Sequence, residues 1–256
     1  MKIIIPMSGQ GSRFIKAGYT TYKPLILQNG MPVIEHVVNM FPGEDELIFI
    51  VRTDLLATTD IAETLMRIRP SATIVPCEPH KLGPVHTATM AFHLLKDDEP
   101  VIYNYCDFFM QWDYEHFKKK MIDTDCDGSI VCYTGFHPHL LHPHNLYAVC
   151  KLDENHLMTE IREKHSYVPD KTKDYHSVGT YYFKRGSDVK KYFVELMEKK
   201  ITMYDEYFVS LVYNLMYRDG LKTVVYSDVP HFCQWGTPSD MGEYKQWSDI
   251  FIDLAK

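Results

Sequence analysis

Ser8-Gly9-Gln10-Gly11-Ser12-Arg13-Phe14 follows a short apolar run, and Lys23-Pro24-Leu25 begins ten residues beyond the arginine. Glycines let backbone N–H groups come close to phosphate oxygens, and successive amides make an anion-binding concavity. Arg13 offers a planar fork of donors, and Lys23 offers a mobile point charge. The pattern is not the dinucleotide fingerprint, since G-x-G-x-x-G needs glycine where Phe14 stands. Nor is it a P-loop, because no G-x-x-x-x-G-K-[ST] occurs here. The chemistry expected of it is binding of a polyphosphate, against the alternative of a Gly-rich turn with solvated cations.

That local basicity stands out against an acidic chain. Its 256 residues carry 27 Lys and Arg against 34 Asp and Glu, a formal charge of −7. Such a balance argues against general nucleic-acid binding, which needs a surplus of cations. Composition is that of an ordinary globular protein, 45% hydrophobic and 24% charged. The length suits one α/β domain, with residues 1–107 as a nucleotide-binding half and 108–256 as an acceptor-binding half. The six cysteines include no C-x-x-C pair, so thiols are expected reduced, as in the cytoplasm. No stretch approaches the length of a membrane span or a signal peptide.

The elements that must position the loop are legible by pattern. Lys2–Pro6 reads as a buried strand, followed by strands at Leu47–Val51, Ala72–Val75 and Val101–Cys106. Between them lie a helix opened by Pro32, one capped by Thr58 or Thr59 and running to about Arg69, and one begun by Pro84. Alternation of this kind predicts a mostly parallel sheet with helices on both faces. After Asp107 the runs Gly128–Tyr133, Leu146–Leu152, His156–Glu163 and Ser177–Phe183 predict antiparallel additions. Helices are expected near 187–199, 205–218 and 238–254.

Ile3-Ile4-Ile5-Pro6-Met7-Ser8-Gly9-Gln10-Gly11-Ser12-Arg13-Phe14 with Lys23-Pro24-Leu25 resembles the opening signature of sugar-1-phosphate nucleotidylyltransferases, the nucleotide-sugar pyrophosphorylases. The resemblance implies a Rossmann-like nucleotide-diphospho-sugar transferase fold. It also implies transfer of an NMP from an NTP to a phosphorylated acceptor, as in EC 2.7.7 enzymes. By resemblance, Met7, Ser8, Gly9, Gln10, Gly11 and Ser12 wrap the triphosphate, while Arg13 and Lys23 hold the departing pyrophosphate. Glu78, Gly83 and Pro84, in Glu78-Pro79-His80-Lys81-Leu82-Gly83-Pro84, match the base-reading loop. Asp107 matches a Mg²⁺-binding aspartate. Glu163, Lys164, Val178, Gly179 and Trp235 match the acceptor pocket.

Cys233-Gln234-Trp235-Gly236-Thr237-Pro238 departs from the related W-x-D-x-G-T element by placing Gln234 where a second metal-binding Asp is usual. A neutral amide ligates weakly and adds no charge. The variant resembles a capsule-type branch, which favours CTP and leaves the acceptor as a sugar 1-phosphate or a non-sugar phosphate such as phosphoglutamine. Homo-oligomers are compatible with the family. The rivals are an NDP-sugar-dependent glycosyltransferase, for which Asp123, Asp125 and Asp127 are badly placed, and a silent nucleotide-binding regulatory subunit. His137-Pro138-His139 and His142-Pro143-His144 read as a loop over the acceptor pocket or as plain surface, since prolines keep the imidazoles from converging.

Overall fold

Ile3, Ile4, Ile5 and Met7 are all fully buried, although neighbouring side chains on a strand point to opposite faces. Only a strand covered on both sides does this, and the covering layers define the architecture. In the computed structural model, which describes residues 1–44 and 46–254, strand Lys2–Met7 pairs in parallel with Leu47–Arg52 on one side and Val101–Asn104 on the other. Thr73–Cys77 extends the parallel set beyond Leu47–Arg52. These strands occupy the centre and one edge of a nine-stranded sheet. Two large apolar clusters fill the space between the sheet and the layers on its two faces, one around Ile4, Tyr103 and Phe193, the other around Ile5, Phe49 and Phe117.

The second half adds the antiparallel part that the sequence predicts. Tyr175–Phe183 runs antiparallel to Val101–Asn104, to Gly128–Tyr133 and to Val149–Leu152, and Met158–Arg162 continues the sheet. Gly179 sits where this long strand shifts register, with φ of 101°. Its carbonyl accepts from Tyr105 N at 3.1 Å, and a Cβ there would lie 2.6 Å from Tyr105 Cδ2. Glycine is what allows the Tyr105 ring to lie flat against the strand.

Several boundaries differ from expectation. Pro32 precedes the helix Val33–Asn39 as its cap rather than beginning it. The helix expected from Thr58 or Thr59 to about Arg69 is Ile61–Ile68, with a separate helix Thr53–Thr58 before it; Asp60 occupies the cap, and Thr59 Oγ1 accepts from Ile61 N at 3.4 Å. Helix Pro84–Thr89 gives way to a 3₁₀ turn at Phe92–Leu94. Val101–Cys106 ends its strand pairing at Asn104, and Leu146–Leu152 and His156–Glu163 shorten to Val149–Leu152 and Met158–Arg162.

Several elements had no forecast. Helix Tyr114–Thr124 is capped by Asp113, whose Oδ1 accepts from His116 N at 2.8 Å. Strand Thr223–Tyr226 lies parallel to Gly128–Tyr133, and Phe108–Gln111 forms an antiparallel ladder with His231–Gln234. That ladder carries Asp107 and Gly236 to the same place, since Trp235 N donates to Asp107 O at 3.0 Å. No helix among the described residues is long and apolar enough to cross a membrane.

Candidate active site

The parallel strands end at a cleft of about 600 Å³, on the carboxyl edge where open sheets of this kind bind ligands. Strand Lys2–Met7 runs directly into it. Ser8, Gly9, Gln10, Gly11, Ser12 and Arg13 form its rim. Gly11 turns the chain with φ of 63° into the five-residue helix Ser12–Lys16, and its carbonyl accepts from Phe14 N at 2.9 Å. Met7 itself is buried beneath the rim, its carbonyl accepting from the Tyr22 hydroxyl. Phe14 packs with Val33, Trp235 and Met241 in a third small apolar cluster, which fixes Arg13 at the cleft mouth.

Lys23 and Asp107, 84 residues apart in the chain, meet in the cleft. Lys23 Nζ donates to Asp107 Oδ2 at 2.7 Å and to Gly236 O at 3.3 Å, and lies 5.1 Å from the centre of the Phe14 ring. The lysine side chain is 12% exposed and the aspartate 36%. Three segments far apart in sequence thus converge on one ammonium group. Cys106, beside them, is no nucleophile: burial, with Asp107 close by, pushes its thiol up to about 12.

The base-loop candidates divide. Gly83 and Pro84 line the cleft, whereas Glu78 is exposed and outside its lining; His80 and Lys81 take that wall instead. Gly83 has φ of 88°, and a Cβ on it would stand 2.8 Å from Tyr207 N. The close approach is part of a clasp: Tyr207 N donates to Leu82 O at 2.9 Å, and Tyr207 O accepts from Val85 N at 3.1 Å. Gly83→Ala is expected to lose about 2–4 kcal/mol of stability, from both the left-handed backbone and the collision. Urea denaturation checks this, and a midpoint equal to that of the parent chain would show that the clasp yields freely.

The clasp also explains why the helix expected over 205–218 begins only at Val212. Residues 203–208 form the far wall instead. Met203 and Glu206 exchange backbone hydrogen bonds across a tight turn in which Tyr204 and Asp205 have φ of 53° and 61°. Glu206 has its carboxyl pushed up by burial, with Lys164 and Arg13 opposing.

None of the acceptor candidates Glu163, Lys164, Val178, Gly179 and Trp235 is among the residues lining the cleft. Lys164 reaches it through Tyr204, its Nζ 4.1 Å from the ring centre. Glu163 bonds Ser210 Oγ, and burial raises its carboxyl above the usual carboxylate range. Val178 is buried, and Gly179 supports Tyr105, which lines the cleft. Trp235 is fully buried against Phe109, His36 and Tyr244. Gln234 Nε2 donates to Asp240 Oδ1 at 2.7 Å, and Asp240 Oδ2 accepts from Thr237 N at 2.9 Å, so Asp240 is occupied as a helix cap.

The histidine loop does not cover the cleft. His137 and His139 pack on Tyr133, and burial lowers His139 to about 3. Asp125 and Asp127 pair with Lys184 and Arg185. Among the described residues no group of three or more His, Cys, Asp and Glu side chains is placed to hold a metal by itself.

A parallel sheet with a glycine-rich phosphate rim, flanking cations and a carboxylate at the strand ends defines a nucleotide-binding α/β protein. The chain belongs to the nucleotidyl transferase family, whose profile matches residues 2–250. Among solved structures it is similar to a nucleoside-diphosphate-sugar pyrophosphorylase from Vibrio cholerae, at 21% identity over 95% of this chain and 99% of that one, with a TM-score of 0.78. It is also similar to a candidate glucose-1-phosphate thymidylyltransferase from Bacillus anthracis in complex with a sucrose. That match is 14% identical, covers 97% and 95% of the two chains, and has a TM-score of 0.72. At these identities the likeness speaks to the fold. No curated protein matches the chain.

Proposed function

We propose that this nucleotidyltransferase joins the NMP of a nucleoside triphosphate to a phosphorylated small molecule and releases pyrophosphate. The convergence of Lys23, Asp107 and the residue 8–13 rim in one cleft supports this best. An acceptor phosphate oxygen attacks the α-phosphorus, the bond to the β-phosphate oxygen breaks on the opposite side, and no covalent enzyme intermediate forms. The protonated Cys106 is consistent with that. Catalysis then rests on positioning and charge. The rim amides hold the triphosphate, and Arg13 and Lys23 take up the charge that develops on pyrophosphate.

Asp107 alone suits a Mg²⁺ ion that arrives with the triphosphate, because magnesium favours one or two carboxylates completed by phosphate oxygens. Held by Asp107, such an ion would supply Lewis-acid polarisation of the α-phosphate. Gln234 adds no charge to such a site, and its amide nitrogen is committed to Asp240. From the resemblance of the Gln234–Pro238 segment to capsule-type relatives we assign CTP as donor, with a sugar 1-phosphate or a phosphorylated non-sugar as acceptor. The setting would be synthesis of a surface polysaccharide.

The test uses the four common NTPs, Mg²⁺ and a panel of phosphorylated acceptors with coupled detection of pyrophosphate. Acceptor-dependent release, fastest with CTP, is expected. Nucleotide binding without release, or release of NDP from an NDP-sugar, would overturn the proposal.

A further inference from the structure

Among the described residues His80 is the one imidazole that lines the cleft, and its hydrogen bonds point to one tautomer. Leu82 N donates to His80 Nδ1 at 3.1 Å, so Nδ1 carries no proton. The proton therefore sits on Nε2, which lies 3.1 Å from Thr87 Oγ1 and donates to it. Thr87 Oγ1 in turn donates its only proton to Gly83 O at 3.2 Å. Ser8 Oγ lies 2.6 Å from Thr87 Oγ1, and when the Thr87 proton goes to Gly83 O, Ser8 is the donor of that pair. In that arrangement every proton in the chain has one direction. Its outer end, Ser8 Oγ, is left with lone pairs alone to offer the cleft.

We infer that His80 is a positioning residue for nucleotide binding, tying the Leu82–Pro84 loop to the phosphate rim through Thr87 and fixing Ser8 as a hydrogen-bond acceptor. The inference rests on the nucleotidyl-transfer reading and deepens it. The Ser8 side chain then faces a donor on the nucleoside, an amino, imino or hydroxyl group, and not a phosphate oxygen. The relay holds only while His80 is neutral, since a proton on Nδ1 would confront the Leu82 N–H. Burial lowers the imidazole below its ordinary value, and His86, in edge contact at 4.7 Å, and Arg52 act in the same direction. Lys81, Asp205 and Glu206 are the other charged groups on the same cleft besides Arg13, Lys23 and Asp107. The sign is fixed: neutral His80 keeps the relay at and above pH 7, and acid breaks it.

The experiment is nucleotide titration of the intact chain with CTP and Mg²⁺ between pH 5 and 8, by calorimetry, with KM and kcat measured in parallel. The parent chain is expected to lose about tenfold in affinity on the acid side, with a smaller change in kcat. His80→Gln keeps a donor for Thr87 but does not titrate in this range, so its affinity at pH 7.5 should hold and its acid limb should be clearly shallower than that of the parent chain. Thr87→Val, which cuts the relay beyond the histidine, should bind about tenfold more weakly at pH 7.5 with KM raised more than kcat is lowered. An acid limb that persists unchanged in His80→Gln, or parental affinity in Thr87→Val, overturns the relay while leaving nucleotidyl transfer standing. Failure of the parent chain to bind any NTP at pH 7.5 overturns both.

Discussion

Lys23→Ala is expected to lower kcat/KM by about a hundred- to a thousandfold while the fold survives. The ammonium group is held between Asp107 and Gly236 O in a side chain only 12% exposed. In the proposed transfer a pre-placed charge of this kind would act on the leaving pyrophosphate without reorganising at the moment of reaction, which is where such donors are worth most. Arg13→Ala should cost a similar factor, since it removes the other cation at the rim. The effect on stability is far smaller. Asp107 is 36% exposed, so its ion pair contributes about 1 kcal/mol at most after solvent screening. Steady-state kinetics with chemical denaturation separates the two, and turnover near that of the parent in both variants would remove these residues from the chemistry.

Asp107→Asn should be equally damaging for a different reason. The amide keeps the shape but loses the charge that would hold Mg²⁺ against the α-phosphate, a loss of about a thousandfold in rate, equivalent to roughly 4 kcal/mol. It also withdraws the partner of Lys23, so the two substitutions cannot act independently. The Lys23→Ala, Asp107→Asn double variant is expected to lose clearly less than the product of the single factors. Mn²⁺ titration by electron spin resonance in the presence of CTP gives a second readout: the parent complex should bind more tightly than the Asp107→Asn complex. Equal binding would place the metal elsewhere.

Local chemistry made half of this site readable. The rim from Ser8 to Arg13 is a contiguous run, and its glycines announce a turn whatever the rest of the chain does. Asp107 was legible because it follows an apolar strand. The rest depends on contacts the sequence does not encode locally. Which members of the Glu78–Pro84 loop face inward depends on the Tyr207 clasp, and they are His80, Lys81, Gly83 and Pro84, not Glu78. The wall at 203–206 has left-handed backbone at Tyr204 and Asp205, where turn chemistry would have called for Gly or Asn, so its sequence passed as helix. Trp235 was marked by resemblance alone, and its burial follows from the packing of Phe14 and Met241. Parallel strands were read well because burial on both faces leaves continuous apolar runs; the ladder of Phe108–Gln111 with His231–Gln234 was missed because its partners lie over a hundred residues apart.

The small cluster of Phe14, Val33, Trp235 and Met241 makes the phosphate rim and the Pro238–Leu254 helix a single mechanical unit. Arg13, next to Phe14, therefore inherits its aim from a helix that does not line the cleft. In the proposed transfer, drift of that helix by about an ångström would be felt as misdirected charge at the leaving group, so selection on transfer would reach residues with no chemistry of their own.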